Sequence, residues 1–137
     1  MIASALLLSL SFGFAADKDL LKVQGAWQVE KVVSKGKEVD SDGAKAISFV
    51  IEGNVIRRFV NGVDRKDPAT IKMTPPLKRP GHIDLTSDNK GEPKMLGIYE
   101  LDGDTLKWCF SPKKRPDKFE SPEGSDITLI VMKKVRK

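Results

Sequence analysis

The side chains best suited to chemistry in this chain are its single histidine, His82, and its single cysteine, Cys109. A zinc or copper site uses several nitrogen and sulfur ligands, so carboxylates would have to complete one here. A cysteine nucleophile needs a base beside it, and His82 is the only imidazole that could serve. We therefore predict no metal site, and we interpret His82 as a surface or strand-start residue and Cys109 as a small apolar residue of a half-buried strand.

The acidic residues also give little indication of a metal site or a catalytic site. Asp102 and Asp104 flank Gly103, but a calcium loop requires further oxygen ligands at regular spacing, and Leu106 interrupts such a run. The sequence contains no GxSxG, P-loop, HExxH or dinucleotide-binding glycine motif. Folding could still bring an Asp/Glu pair together, although the spacing indicates none. We predict a protein that is not an enzyme and has no cofactor.

Basic residues form short clusters that are spread along the chain. The formal net charge is +5 at pH 7, and both signs are interspersed along the chain. Lysines and arginines at solvated strand edges, where they prevent edge-to-edge pairing, explain such clusters better than a groove for single-stranded nucleic acid. We predict no nucleic-acid partner. The clusters are Arg57-Arg58, Lys78-Arg79, Lys113-Lys114-Arg115 and Lys133-Lys134 with Arg136-Lys137.

The element that positions the central apolar residues is a hairpin over Leu96 to Phe110, LGIYELDGDTLKWCF. Asp102-Gly103 between two apolar runs is a strong signal for a tight antiparallel turn. Strand alternation places Leu106, Trp108 and Phe110 on one face of the second arm.

Further short strands precede and follow this hairpin, and glycine and proline turns separate them. Asn61-Gly62 is a second hairpin signal. Trp27, Val29 and Val33 share one face of the first strand, with Lys31 as an exception. The total is seven to nine strands, preceded by a short helical turn at Asp17 to Val23, and no long helical period occurs. The pattern predicts an all-β, antiparallel barrel or sandwich.

Residues 1–16, MIASALLLSLSFGFAA, form an uncharged apolar run that ends in small residues. This pattern predicts a signal peptide cleaved near Ala15 or Ala16, with a buried N-terminal helix as the alternative. The run is shorter than the roughly 20 residues of a membrane-spanning helix, so we predict no stable membrane insertion. The mature domain is then 17–137, exported to the periplasm, cell surface or medium. One cysteine permits no disulfide within the chain.

The motifs together resemble a known family. DLLKVQGAWQVEKVVSKGKEV, HIDLT, the LGIYELDGDTLKWCF hairpin and RPDKFESPEGSDITLIVMKK are similar to a bacterial lipocalin-like domain family of unknown function that is expanded in planctomycetes. The resemblance implies export and a small lipocalin-like (calycin-like) barrel, but no activity. It also implies that Gly25 and Trp27 close one end of the barrel, with Lys133, Lys134 or Arg136 lying across the tryptophan.

The barrel interior is the remaining candidate site. If one end is open, its apolar lining suits a small apolar or amphipathic ligand. If large side chains fill it, the lining is only a core, and the protein is then an envelope-associated module that recognises protein or anionic glycan through a basic rim. The sequence does not decide between an open and a filled barrel, and we expect the open, ligand-binding one. It does not indicate the oligomeric state. The candidate interior residues are Trp27, Phe49, Ile51, Ile98, Trp108, Phe110 and Leu129.

Overall fold

The computed structural model describes residues 15–74, 80–87 and 94–135. More than half of them belong to short strands. Within these residues the helices are α1 (Ala15–Lys22) and α2 (Ser41–Lys45), and the strands are β1 (Gly25–Ser34), β2 (Lys37–Glu38), β3 (Ile47–Glu52), β4 (Val55–Val60), β5 (Val63–Asp64), β6 (Ala69–Thr74), β7 (Gly81–Ser87), β8 (Met95–Asp102), β9 (Thr105–Ser111) and β10 (Thr128–Lys134).

The strands form one antiparallel sheet that closes on itself. Its order is β10-β9-β8-β7-β6-β4-β3-β1, and β1 also pairs with β10, so eight strands complete a barrel. The short strands β2 and β5 pair with β1 and β4. The predicted all-β antiparallel barrel with a short N-terminal helix is confirmed. The predicted signal peptide lies outside the described residues except for Ala15 and Ala16, where α1 begins.

The turns explain why the chain reverses where it does. Asn61 and Gly62 have φ of 53° and 80° between the paired residues Val60 and Val63, as a two-residue hairpin of matching twist requires. Gly103 has φ of 61° in the turn between β8 and β9. Both predicted hairpins are therefore present.

A β-bulge in β1 changes which residues face inward. The register against β10 shifts between Val29 and Lys31. After the shift Val32 lies opposite Ile130, which belongs to the core, and Val33 lies opposite Leu129. The expectation that Val33 shares a face with Trp27 was wrong, because the extra residue of the bulge reverses the alternation.

Side chains fill the half of the barrel next to α1. There Trp27, Val29, Ile51, Leu106 and Met132 are fully buried. Helix α1 adds Val23 to this core, and the Trp27 Nε1 donates a hydrogen bond of 2.8 Å to the Val23 carbonyl oxygen. This half is a packed core.

A long connection between β9 and β10, residues 112–127 and here called the strap, packs on the outside of the barrel. Arg115 Nη1 donates to Asp84 Oδ1 and to the Gly97 carbonyl oxygen, both at 2.7 Å. Ser121 Oγ donates to the Ile127 carbonyl oxygen at 2.7 Å and accepts from the Gly36 amide at 3.1 Å. The strap therefore covers the outer face of the sheet around Cys109.

Candidate functional site

The half of the barrel away from α1 contains a cavity of about 500 Å³. Its lining comes from the strand ends remote from that helix and is mainly apolar. The lining residues are Val32, Ile47, Phe49, Ile56, Arg58, Asp67, Ala69, Leu85, Ser87, Met95, Trp108, Phe110, Thr128 and Ile130.

Three aromatic rings form one wall of this cavity. The Trp108 ring centroid lies 5.5 Å from that of Phe49 and 6.3 Å from that of Phe110, and both pairs meet edge to face. This geometry is favourable for aromatic pairs. The wall is mainly apolar, and the buried Trp108 Nε1, which has no hydrogen-bond partner among the described residues, is its one unsatisfied N–H donor.

The other candidate interior residues lie elsewhere. Trp27 and Ile51 belong to the filled half of the barrel and do not line the cavity. Ile98 and Leu129 both lie opposite Cys109 in the register, whereas Tyr99 and Ile130 lie opposite the inward-facing Trp108.

Since opposite residues share a face, the prediction that Ile98 and Leu129 face the interior was wrong. Both belong to the outer face, where Ile98 is buried although it lies outside the main core cluster.

The cavity also contains a charged pair that the sequence reasoning missed. Arg58 lies opposite Phe49 in the β3–β4 register and therefore faces inward. Its Nη2 contacts Asp67 Oδ2 at 2.6 Å, with the two side chains 45% and 32% exposed. The alternation through Ile56 and Arg58 was a usable signal, but the Arg57-Arg58 pair was interpreted as a solvated cluster.

Asp67 reaches Arg58 because the chain bulges between β5 and β6. Strand β4 pairs with both β5 and β6, and between these pairings the four residues 65–68 lie opposite only Arg57 and Arg58. Lys66 has φ of 56°, which is uncommon for a residue with a side chain, and its amide donates to Asp64 Oδ1 at 2.8 Å. Bulges commonly redirect a side chain in this way.

The opposite end of the barrel is sealed. Lys134 Nζ lies 5.8 Å from the centroid of the Trp27 ring and donates to the Lys22 carbonyl oxygen at 3.3 Å. Of the three candidates for the cation across Trp27, Lys134 thus occupies that position, while Arg136 lies outside the described residues. Gly25, with φ of 107°, starts the strand beneath Lys134.

Tyr99 ties α1 to the barrel wall. Its hydroxyl donates a hydrogen bond to Asp19 Oδ2, and the ring is 3% exposed. Burial, then the hydrogen bond to Asp19 and then the negative charge of Asp19 raise the pKa of Tyr99 well above its usual value. The phenol is therefore neutral in the folded protein at physiological pH.

Cys109 and His82 do not form a catalytic pair. Each lies opposite Ile98 on the outer face, so one strand separates them, which puts their backbones roughly 10 Å apart. Burial raises the pKa of the Cys109 thiol, which donates to the Glu120 carbonyl oxygen at 3.4 Å. A buried, protonated thiol is a poor nucleophile.

Within residues 15–74, 80–87 and 94–135, the acidic, histidine and cysteine side chains do not gather into a group of three that could hold a metal ion. In the same part of the chain, neither helix has the length and apolar character needed to cross a membrane. Comparisons of the chain with protein-family models, with curated proteins and with solved structures gave no match.

Proposed function

We propose that this protein is an exported, non-enzymatic β-barrel that binds a small amphipathic molecule in the cavity away from α1. The observation that carries the proposal is the cavity itself, about 500 Å³ inside a closed barrel and lined mainly by apolar side chains. This volume falls within the range of about 300–1,000 Å³ that is typical of small-molecule sites.

The uneven filling of the barrel supports ligand binding over a purely structural interior. One half of the barrel is filled by side chains that include Trp27, Leu106 and Met132. The other half contains the cavity beside Phe110 and Trp108. Protein interiors are normally close-packed, and an apolar void forfeits dispersion contacts along its lining. A bound apolar body would restore those contacts.

Export, the lipocalin-like relationship and the lack of enzymatic activity belong to this proposal as predictions. The run at 1–16 supports export, and the motifs around Trp27 and the β8–β9 hairpin support the relationship. The separation of His82 from the protonated Cys109 supports a binding role rather than nucleophilic chemistry.

The alternative, a barrel that acts as an envelope-associated interaction module, rested on a filled interior. The cavity beside Phe49 counts against that premise. The module becomes the leading explanation only if the cavity binds nothing.

The proposal is tested by titrating the purified domain, residues 17–137, with the neutral hydrophobic dye Nile red and by native mass spectrometry of protein prepared from its own extracytoplasmic fraction. We expect saturable dye binding and an adduct that is lost on mild activation. Ala69→Phe, which places a ring inside the cavity, should weaken dye binding about tenfold or more because it removes the space for the dye.

Thr70→Phe is the matched control. Thr70 is the next residue of β6 and alternates to the outer face, so this variant should bind the dye as the unmodified protein does. Absence of saturable binding in the unmodified protein, or an equal loss in both variants, would contradict ligand binding in the cavity.

A further inference from the structure

We infer that the cavity selects an amphipathic molecule whose head group is uncharged and both donates and accepts hydrogen bonds, such as a hydroxyl or a primary amide. This inference rests on the proposed function and adds the chemical class of the ligand to it. Three observations at the mouth of the cavity carry it, and all concern Arg58 and Asp67.

The first observation is charge balance. Among the described residues that line the cavity, Arg58 is the one cation and Asp67 the one anion, and they are in contact at 2.6 Å. A carboxylate head group at Arg58 would lie beside the carboxylate of Asp67, and an ammonium at Asp67 would lie beside the guanidinium. Either charged head group therefore meets a like charge, which disfavours its charged form.

The second observation is unused hydrogen-bonding capacity. Asp67 Oδ1 is buried and accepts no hydrogen bond from the residues that the structure describes. A guanidinium has five N–H donors, and in the described part of the chain the Arg58 side chain bonds only to Asp67. A hydroxyl or amide can donate to the carboxylate and accept from the guanidinium at once. An unmet buried acceptor is costly, so this exchange favours binding.

The third observation is that the pair is held in place by the backbone. The bulge at residues 65–68 directs Asp67 toward Arg58, with Lys66 at a positive φ and its amide bonded to Asp64. Backbone strain of this kind persists where surrounding structure enforces it, commonly at binding sites. Both side chains of the pair are partly exposed at the mouth and both line the cavity, so a head group at the mouth would meet the two together.

The bound molecule would then lie with its apolar body against the wall formed by Phe49, Trp108 and Phe110. Its head group would lie at the mouth between Arg58 and Asp67.

The test is displacement of Nile red at neutral pH by four probes that share one alkyl chain, namely decanol, decanamide, decanoate and decylammonium. We expect decanol and decanamide to bind about tenfold more tightly than either charged probe. The comparison uses the unmodified domain, so it does not depend on any variant folding.

Charge variants add a readout that a structural role alone would not change. Asp67→Asn leaves Arg58 without an anion beside it, and decanoate should then bind about tenfold more tightly while decanol changes little. Arg58→Met should favour decylammonium in the same way. Arg57→Met is the matched control, because Arg57 is the outward-facing neighbour on β4 and its removal should leave the ranking of the probes unchanged.

The outcomes separate the two proposals. Tightest binding of decanoate or decylammonium by the unmodified domain, or no gain for decanoate in a folded Asp67→Asn variant, would overturn the inference about the head group while leaving the cavity as a binding site. Failure of Nile red and of every probe to bind would instead overturn the proposed function itself.

Discussion

Lys134 lies across the indole ring of Trp27, with its Nζ 5.8 Å from the ring centroid, at the sealed end of the barrel. The two residues are opposite each other in the β1–β10 register. The lysine also donates to the Lys22 carbonyl oxygen near the end of α1. One side chain thus links the first strand, the last strand and the helix that covers them.

Replacing this lysine should weaken the sealed end. Lys134→Met keeps much of the side-chain volume but removes both the cation–π contact and the hydrogen bond to Lys22, and we expect a loss of about 0.5–1 kcal/mol in the free energy of unfolding. Urea denaturation measures it. Lys133→Met removes a charge from the exposed outer face one position earlier and should change stability much less, and equal losses would show that the contact with Trp27 is not responsible.

The Tyr99–Asp19 contact predicts a stability loss in alkaline solution. The pKa of Tyr99 is raised in the folded state, so its contribution is fully present below the unfolded value of about 10 and declines as the pH rises above it. The decline can reach about 1.4 kcal/mol per pH unit.

Tyr99 is the single tyrosine of the chain, so phenolate absorbance reports this group alone and should appear at higher pH in folded than in unfolded protein. Tyr99→Phe should abolish the tyrosine part of the alkaline decline. It should also cost about 1–2 kcal/mol at neutral pH, because Asp19 loses its donor. A normal phenolate titration in the folded protein would contradict the burial of this hydroxyl.

Arg115 should control access to Cys109. Arg115→Met removes both hydrogen bonds that attach the strap to Asp84 and Gly97. We expect a thiol reagent such as dithionitrobenzoate to react with Cys109 about tenfold faster under native conditions, because local opening becomes easier. Cys109 is the only cysteine, so the reaction reports the exposure of this one thiol.

Lys113→Met provides the comparison, because Lys113 belongs to the strap but its side chain is 79% exposed and, within the described part of the chain, makes only an ion pair of 3.1 Å with Asp126. Such exposed ion pairs contribute little to stability. Cys109 in the Lys113→Met variant should therefore react at the same rate as in the unmodified protein. Reaction of Arg115→Met at that same rate would mean that Arg115 does not hold the strap.

Gly81 has no room for a side chain. A Cβ at this position would lie 2.5 Å from Tyr99 Cε1, and the ring is buried and bonded to Asp19. Gly81→Ala should therefore cost about 1–3 kcal/mol in the free energy of unfolding. In a Tyr99→Leu background the cost should largely disappear, and additive losses in this double-mutant cycle would rule out the ring as the cause.

Local signals in the sequence predicted most of the fold. Asp102-Gly103 and Asn61-Gly62 require particular backbone angles, and their turns lie where expected. The face shared by Leu106, Trp108 and Phe110 follows from strand alternation and is also confirmed. These features depend on neighbouring residues alone, which is why they are visible without the fold.

Features that depend on distant residues were not predictable. Ile98 and Leu129 are apolar and lie on strands, yet both face outward opposite Cys109, where the strap packs on the sheet. The bulge in β1 moved Val33 outward with no glycine or proline to signal it. The meeting of Arg58 with Asp67 depends on a second bulge, so the polar part of the site could not be deduced from the spacing of these residues.

The unequal halves of this barrel bear on how such a protein can diverge. Substitutions around Trp27 and Tyr99 disturb the contacts on which folding depends, so selection for a folded chain constrains them. Substitutions around Ala69, Ser87 and Thr128 border open space and alter which molecules fit at little cost in stability. Descendants of one ancestor can therefore acquire different ligands through changes at the mouth while the sealed end stays the same, and libraries for engineering new binders are best confined to the mouth.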